Sequence, residues 1–71
     1  MGYEYRTAVQ AKAQGYFALT RTYKPSEGHM MAKVLSDMER GDISVVLVRS
    51  SEVDRAGNEF NGLQVWRYRG Y

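Results

Sequence analysis

The side chains that could carry out nucleophilic or acid–base chemistry are few in this sequence. His29 is the single histidine, cysteine is absent, and Ser26 lies about one helical turn before His29. A nucleophilic site needs a base within hydrogen-bond reach of the nucleophile, usually with a third group that orients the base. No acidic residue is placed for that third role, so Ser26 is better explained as the residue that caps a helix. The sequence therefore predicts no catalytic site.

Other reactive arrangements are also missing. Asp37 and Glu39 are two positions apart in a predicted helix and so do not face each other. Ordinary zinc sites draw their ligands mainly from Cys and His, which this composition excludes. The seven glycines are dispersed as turn residues rather than gathered in a phosphate-binding loop or a dinucleotide fingerprint. We therefore expect no enzyme, no metal site and no cofactor.

Cations and aromatic rings are the remaining residue types that bind partners, and they occur in the same parts of the chain. Residues 1–24 carry a net charge of +3 and residues 60–71 a net charge of +2, whereas residues 25–42 and 43–59 are net acidic. Every aromatic residue lies outside 25–59. Arginine and aromatic side chains are enriched at protein interfaces, and the same combination suits nucleic-acid bases and phosphates. For any one of these residues a structural role is the commoner explanation, so the hypothesis rests on the set.

We therefore predict a binding surface of cationic and aromatic side chains on the open face of a sheet. Its predicted members are Arg6, Lys12, Tyr16, Arg21, Lys24, Trp66, Arg67, Tyr68 and Arg69. In the last strand, burying Trp66 and Tyr68 would turn the neighbouring arginines outward, because successive side chains point to opposite faces. The opposite parity would bury Leu63 and Val65 and expose the rings, and the sequence leaves both open.

Two strands are predicted to position the first half of this surface. From Tyr3 to Ala13 the residues alternate in polarity, which indicates a half-buried strand, although the alanines leave a helix over 7–14 as the alternative. Gln14-Gly15 supplies a turn, and Tyr16–Tyr23 is rich in aromatic residues and threonine, as strands are. A connection this short predicts an antiparallel hairpin of the two strands.

A helix is predicted within Ser26–Arg40. Pro25 ends the preceding strand and Ser26 is a good N-cap. Gly41 is expected to close the helix in the left-handed conformation. The helix face that should pack on the sheet recurs at positions i, i+3, i+4 and i+7 and consists of Met31, Val34, Leu35 and Met38.

Two further strands complete the predicted fold. Ile43–Ser50 leaves neither face polar and should be central, and Leu63–Arg69 alternates again. Residues 51–62 form either a long hairpin or an extra short strand. The predicted class is α+β, a two-layer ββαββ domain over residues 1–71 with one helix packed on one face of a four-stranded, mainly antiparallel sheet.

The length and composition of the chain predict its size class and its location in the cell. At 71 residues and 44% hydrophobic residues it has the values of one small globular domain. No apolar run approaches the length of a membrane span, and nothing at the N-terminus is typical of a signal peptide. We expect a cytoplasmic protein that makes no contact with a membrane.

The hairpin Tyr3–Tyr23, the helix within Ser26–Arg40 and the strands Ile43–Ser50 and Leu63–Arg69 together resemble, in layout only, some small phage-encoded inhibitors of bacterial defence, including certain anti-CRISPR proteins. The resemblance covers the whole chain and involves no sequence motif. It implies an inhibitor in the host cytoplasm that docks on a nucleic-acid-handling protein complex. A direct DNA- or RNA-binding module using the same face is the alternative, and a homodimer formed through an edge strand stays open for so small a chain.

Overall fold

The structure, a computed structural model, describes residues 5–69. Its elements in chain order are β1 (Tyr5–Arg6), α1 (Ala8–Ala13), β2 (Tyr16–Ala18), a 3-10 helix (Pro25–Glu27), α2 (Gly28–Arg40), β3 (Val45–Val53) and β4 (Glu59–Tyr68). The strands form one four-stranded sheet in the order β1-β3-β4-β2. The predicted α+β class is confirmed. The sheet is mixed rather than mainly antiparallel, because β1 runs parallel to β3 while β4 is antiparallel to both of its neighbours.

Most of the predicted first strand is instead the helix α1. The Thr7 hydroxyl accepts a hydrogen bond from the backbone N–H of Gln10 at 3.2 Å, and the Gln10 side chain accepts one from the N–H of Thr7 at 3.2 Å. This reciprocal capping box starts a helix, and the alanines that follow are the best helix formers. The strand prediction for Tyr3–Ala13 is therefore wrong beyond Arg6, and the helical alternative is correct. Tyr3 and Glu4 lie outside the described residues.

The predicted hairpin of the first two strands is also wrong. β1 and β2 form opposite edges of the sheet, because α1 carries the chain across one face from β1 to β2. The second strand ends at Ala18 rather than Tyr23. Leu19 and Thr20 both donate their N–H groups to the carbonyl of Val65, at 3.0 and 3.3 Å, as in a bulge. The chain rejoins the sheet at Tyr23, through an isolated bridge to Leu63.

The long helix α2 forms as predicted, but its two ends differ from the expectation. A 3-10 turn at Pro25–Glu27 precedes it, so Ser26 lies inside that turn and is not the N-cap. The Glu27 carboxylate accepts a hydrogen bond from the N–H of Lys24 at 2.9 Å instead. At the other end Gly41 has φ −85°, and Asp42 takes the left-handed conformation with φ 56°.

Both faces of the sheet carry a core, which the two-layer prediction missed. On one face α2 packs on the sheet through Leu35, which contacts Leu47 and Val65. On the other face Ala11 of α1 joins a cluster with Trp66 and the valines of β3 at positions 46 and 48. β3 is central as predicted. No helix among residues 5–69 is long and apolar enough to cross a membrane.

Residues 51–62 continue the ladder, which confirms the long-hairpin alternative. β3 and β4 pair from Val45 and Arg67 to Val53 and Glu59. The Asp54 side chain closes the turn by accepting backbone N–H groups from residues 56 and 58 at 2.9 and 3.0 Å.

Candidate binding surface

The structure brings five of the predicted site residues together at one end of the sheet, where α1 ends, β2 begins and β4 ends. We call this set the basic–aromatic cluster. Its members are Arg6, Lys12, Tyr16, Tyr68 and Arg69. They come from two parts of the chain far apart in sequence, residues 6–16 and 68–69, and the fold brings these two parts together.

Two tyrosine rings form the centre of the cluster. Tyr16 and Tyr68 are directly paired on adjacent strands, with ring centroids 5.2 Å apart and planes tilted by 56°. Gly15 has φ +93°, a conformation that glycine adopts without strain, and a Cβ at this position would lie 3.1 Å from Cε1 of Tyr68. The ring of Tyr68 therefore lies against the backbone of the turn between α1 and β2. Tyr68 remains 42% exposed and can contact a partner.

Two arginines lie over aromatic rings at this end of the sheet, one over Tyr16 and one over Phe17. The guanidinium of Arg6 lies 5.2 Å from the Tyr16 ring centroid and donates to Oε1 of Gln14 at 2.7 Å. The guanidinium of Arg69 lies 5.0 Å from the ring centroid of Phe17, which is not a member of the predicted surface. Such contacts place a cation over the face of a ring.

The cluster borders a shallow groove of about 540 Å³ whose wall, within residues 5–69, includes Lys12, Phe17 and Arg69 and no acidic residue. Among residues 5–69, neither Lys12 nor Arg69 forms an ion pair. The groove therefore combines positive charge with ring edges and faces. A phosphate or carboxylate group in the groove would meet two cations, neither of which is paired with an acidic side chain of the described part of the chain.

Arg21 and Lys24 lie apart from the cluster, and both are already paired. Arg21 donates to both carboxylate oxygens of Glu27, at 3.1 and 2.8 Å, and its guanidinium lies 4.5 Å from the Tyr23 ring centroid. Nζ of Lys24 lies 3.3 Å from the Asp54 carboxylate. The Lys24 pair joins the chain between β2 and α2 to the hairpin turn, and the Arg21 pair lies within that chain.

The Arg21–Glu27 pair also lowers the pKa of the Glu27 carboxyl group. Hydrogen bonds from Arg21, and then from the backbone of Lys24, lower the pKa of Glu27 to about 2. The pKa of Asp54 is lowered as well, first by the backbone N–H of Asn58. Both carboxylates are therefore charged at neutral pH and occupied by interactions within the chain.

Trp66 belongs to the core, which corrects its predicted place on the surface. It is 7% exposed, packs with the α1-side cluster, and donates its Nε1–H to Oε1 of Gln64 at 3.2 Å. Val65 on the other face is also fully buried. Each of the two alternatives for the last strand buried only one face of it. The structure buries Val65 on one face and Trp66 on the other, because a helix covers each face of the sheet. Arg67 is exposed on the α2 side of the sheet, opposite to Tyr68.

The residues weighed as a catalytic pair, Ser26 and His29, are both exposed. Within residues 5–69 no group of three potential metal ligands occurs. No protein-family model, no curated protein and no solved structure matches this chain.

Proposed function

We propose that this protein is a non-enzymatic binding protein that docks on a nucleic-acid-handling protein complex through the basic–aromatic cluster. The observation that carries the proposal is that some cations of the predicted surface form ion pairs within the chain and others do not. Arg21 and Lys24 are paired with carboxylates, whereas Lys12 and Arg69 border a groove beside the tyrosine pair to which the described residues contribute no acid. Complementary charge steers association, and aromatic side chains supply contact area at little entropic cost.

An inhibitor of such a complex is the form of this function that the resemblance to phage-encoded inhibitors implies. The hairpin Tyr3–Tyr23, on which part of that resemblance rests, is not formed, because α1 separates β1 from β2. The proposal therefore depends on the cluster rather than on the layout. A complex that handles nucleic acid presents the phosphates of the nucleic acid bound to it, and phosphates are complementary to the cations of this groove.

The test is a charge reversal in the cluster, with a matched reversal elsewhere. Lys12→Glu combined with Arg69→Glu should leave the melting temperature nearly unchanged, because both side chains are exposed. The double variant should lose most of the partner that the wild-type protein retains from a nuclease-treated host lysate. The control is Lys33→Glu combined with Arg55→Glu, which makes the same change in net charge at exposed positions outside the cluster. Equal loss in both variants would show that only net charge matters and would contradict a docking site.

Direct binding of DNA or RNA is the second candidate, and the tyrosine pair favours it. Rings flanked by cations can stack on unpaired bases while the cations contact phosphates. If nucleic acid is the partner, nuclease treatment should abolish capture, and the logarithm of affinity for a labelled oligonucleotide should fall linearly with the logarithm of salt concentration. Each phosphate-contacting cation removed should then reduce that slope by about one unit.

A further inference from the structure

A second groove lies on the α2 side of the sheet, between the first turn of α2 and the middle of the β3–β4 hairpin. We call it the α2 groove. Its volume is about 540 Å³, and the apolar part of its wall consists of Tyr23, Pro25, Met31 and Leu63. Small-molecule sites have volumes of about 300–1,000 Å³ and are mostly apolar, with a few polar groups that orient the ligand. The α2 groove therefore has the size and the lining of such a site.

Contacts within the chain hold the wall of this groove in place. Tyr23 exchanges two backbone hydrogen bonds with Leu63, at 2.7 and 3.0 Å. A Cβ at position 62 would collide with the carbonyl oxygen of Tyr23, so this close approach of the two segments requires Gly62. Nζ of Lys24, the next residue of the wall, lies 3.3 Å from the Asp54 carboxylate. The groove is therefore built by the fold itself, as is usual for ligand sites.

The charged residues around the α2 groove are cations. Within residues 5–69 its lining includes Lys24 and Arg49 and no acidic residue. Lys24 is paired with Asp54, whereas Arg49 forms no ion pair among the described residues. The guanidinium of Arg49 lies 5.8 Å from the ring centroid of Tyr5, and because that ring is neutral the contact leaves the positive charge uncompensated. Arg49 is also the direct partner of Leu63 in the ladder, so the cation lies beside the apolar wall.

We propose that the α2 groove binds a small organic anion with an apolar body, an aryl or alkyl carboxylate. The apolar body lies along Met31 and Leu63, where it replaces water, and the carboxylate pairs with the guanidinium of Arg49 at the edge of the groove. This site is separate from the proposed docking surface, because none of the described residues that line it belongs to the basic–aromatic cluster.

Charge and volume together select this class of ligand. Two cations without an acid in the described lining favour an anion over a neutral or cationic ligand. A guanidinium matches a carboxylate in geometry as well as in charge. The apolar wall excludes a fully polar anion such as inorganic phosphate, which would lose its hydration there without a hydrogen-bonding replacement. A groove of this volume encloses a ring system or a short alkyl chain.

The test of the charge uses two probes of the same shape, naphthoate and its neutral amide, naphthamide. Titration followed by backbone amide NMR should show saturable shifts at the lining residues Gly28, Met31 and Leu63, with naphthoate bound more tightly than naphthamide. Arg49→Gln should weaken naphthoate several-fold and leave naphthamide unchanged, because only the carboxylate pairs with the guanidinium. Arg67→Gln removes an exposed arginine from the same face of the sheet outside the groove and should change neither affinity.

The test of the apolar part fills the groove. Ser51 lines it and shares a face of β3 with Arg49, so the ring of Ser51→Phe should occupy the groove and weaken both probes. Glu52→Phe places the same ring on the opposite face and should weaken neither. Circular dichroism establishes that each variant is folded, and the Arg49→Gln comparison decides the question if Ser51→Phe is not.

Three results overturn the proposal. The first is a titration that does not approach saturation at about 10 mM naphthoate, where even a weak small-molecule site is occupied. The second is a set of shifts confined to the basic–aromatic cluster. The third is an Arg49→Gln variant that binds naphthoate as tightly as the wild-type protein does. Each of these results leaves the docking proposal untouched, because that proposal depends on Lys12 and Arg69, which do not line the α2 groove.

Discussion

At the scale of single residues, the cations of the predicted surface differ in whether a carboxylate lies beside them. Arg21 and Arg69 both lie near an aromatic ring, at 4.5 and 5.0 Å from its centroid. Arg21 also forms an ion pair with Glu27 and stabilises the fold, whereas Arg69 forms no ion pair among the described residues. A charge that is already paired gains little from a partner, since binding would have to replace an existing interaction.

The lowered pKa of Glu27 makes its stabilising effect dependent on pH. Its pKa falls from the ordinary value of 4.5 to about 2 in the folded chain, so the carboxylate favours folding above pH 4.5 and loses that effect as pH falls towards 2. Glu27→Gln should therefore melt below the wild-type protein at pH 7 and close to it near pH 2. Glu59→Gln, at an exposed carboxyl with no ion pair among residues 5–69, is the control. Identical melting of Glu27→Gln and wild type at pH 7 would contradict the assigned role.

At the scale of elements, α1 is the short helix on which the cluster depends. Its capping box lies at Thr7 and Gln10. Its last turn contains Lys12 and leads into the turn at Gly15, against which the ring of Tyr68 lies. Helices of this length have little stability of their own and depend on caps and packing. Ala11, fully buried against the sheet, supplies that packing.

Removing the cap should loosen this element. Thr7→Ala should lower the free energy of unfolding by about 1 kcal/mol, because the N–H of Gln10 loses its hydroxyl partner. Thr7→Ser keeps a hydroxyl and should recover most of the loss. Urea unfolding measures both, and hydrogen exchange of the α1 amides should rise in Thr7→Ala alone. Unchanged protection of α1 in Thr7→Ala would show that packing, not the cap, holds the helix.

At the scale of the whole molecule, the sheet lies between two helices and has a separate core on each face. Leu35 connects α2 to the sheet and is 6% exposed. Leu35→Ala should lower the free energy of unfolding by about 2–5 kcal/mol through lost burial and a residual cavity. Lys33→Ala, an exposed change on the same helix, should alter it by less than about 0.5 kcal/mol. Equal effects of the two changes in urea unfolding would place α2 off the sheet.

The sequence by itself determined the parts that depend on local pattern. The helical spacing of Met31, Val34 and Leu35 identified the face of α2 that packs on the sheet. The unbroken apolar run in β3 identified the central strand. The separation of charge along the chain indicated which segments carry the cations. Each of these signals is complete within one segment.

Only the tertiary structure decided how these segments meet. The alternation of Tyr3–Ala13 is compatible with a strand, and a capping box together with the burial of Ala11 makes most of it a helix. Strand order depends on contacts between residues far apart in sequence, which no local pattern encodes. That order buries Trp66, places Tyr68 beside Tyr16 and leaves Arg21 paired elsewhere. The candidate surface was therefore visible in the sequence as a set of residue types, and the fold selected which of them are neighbours.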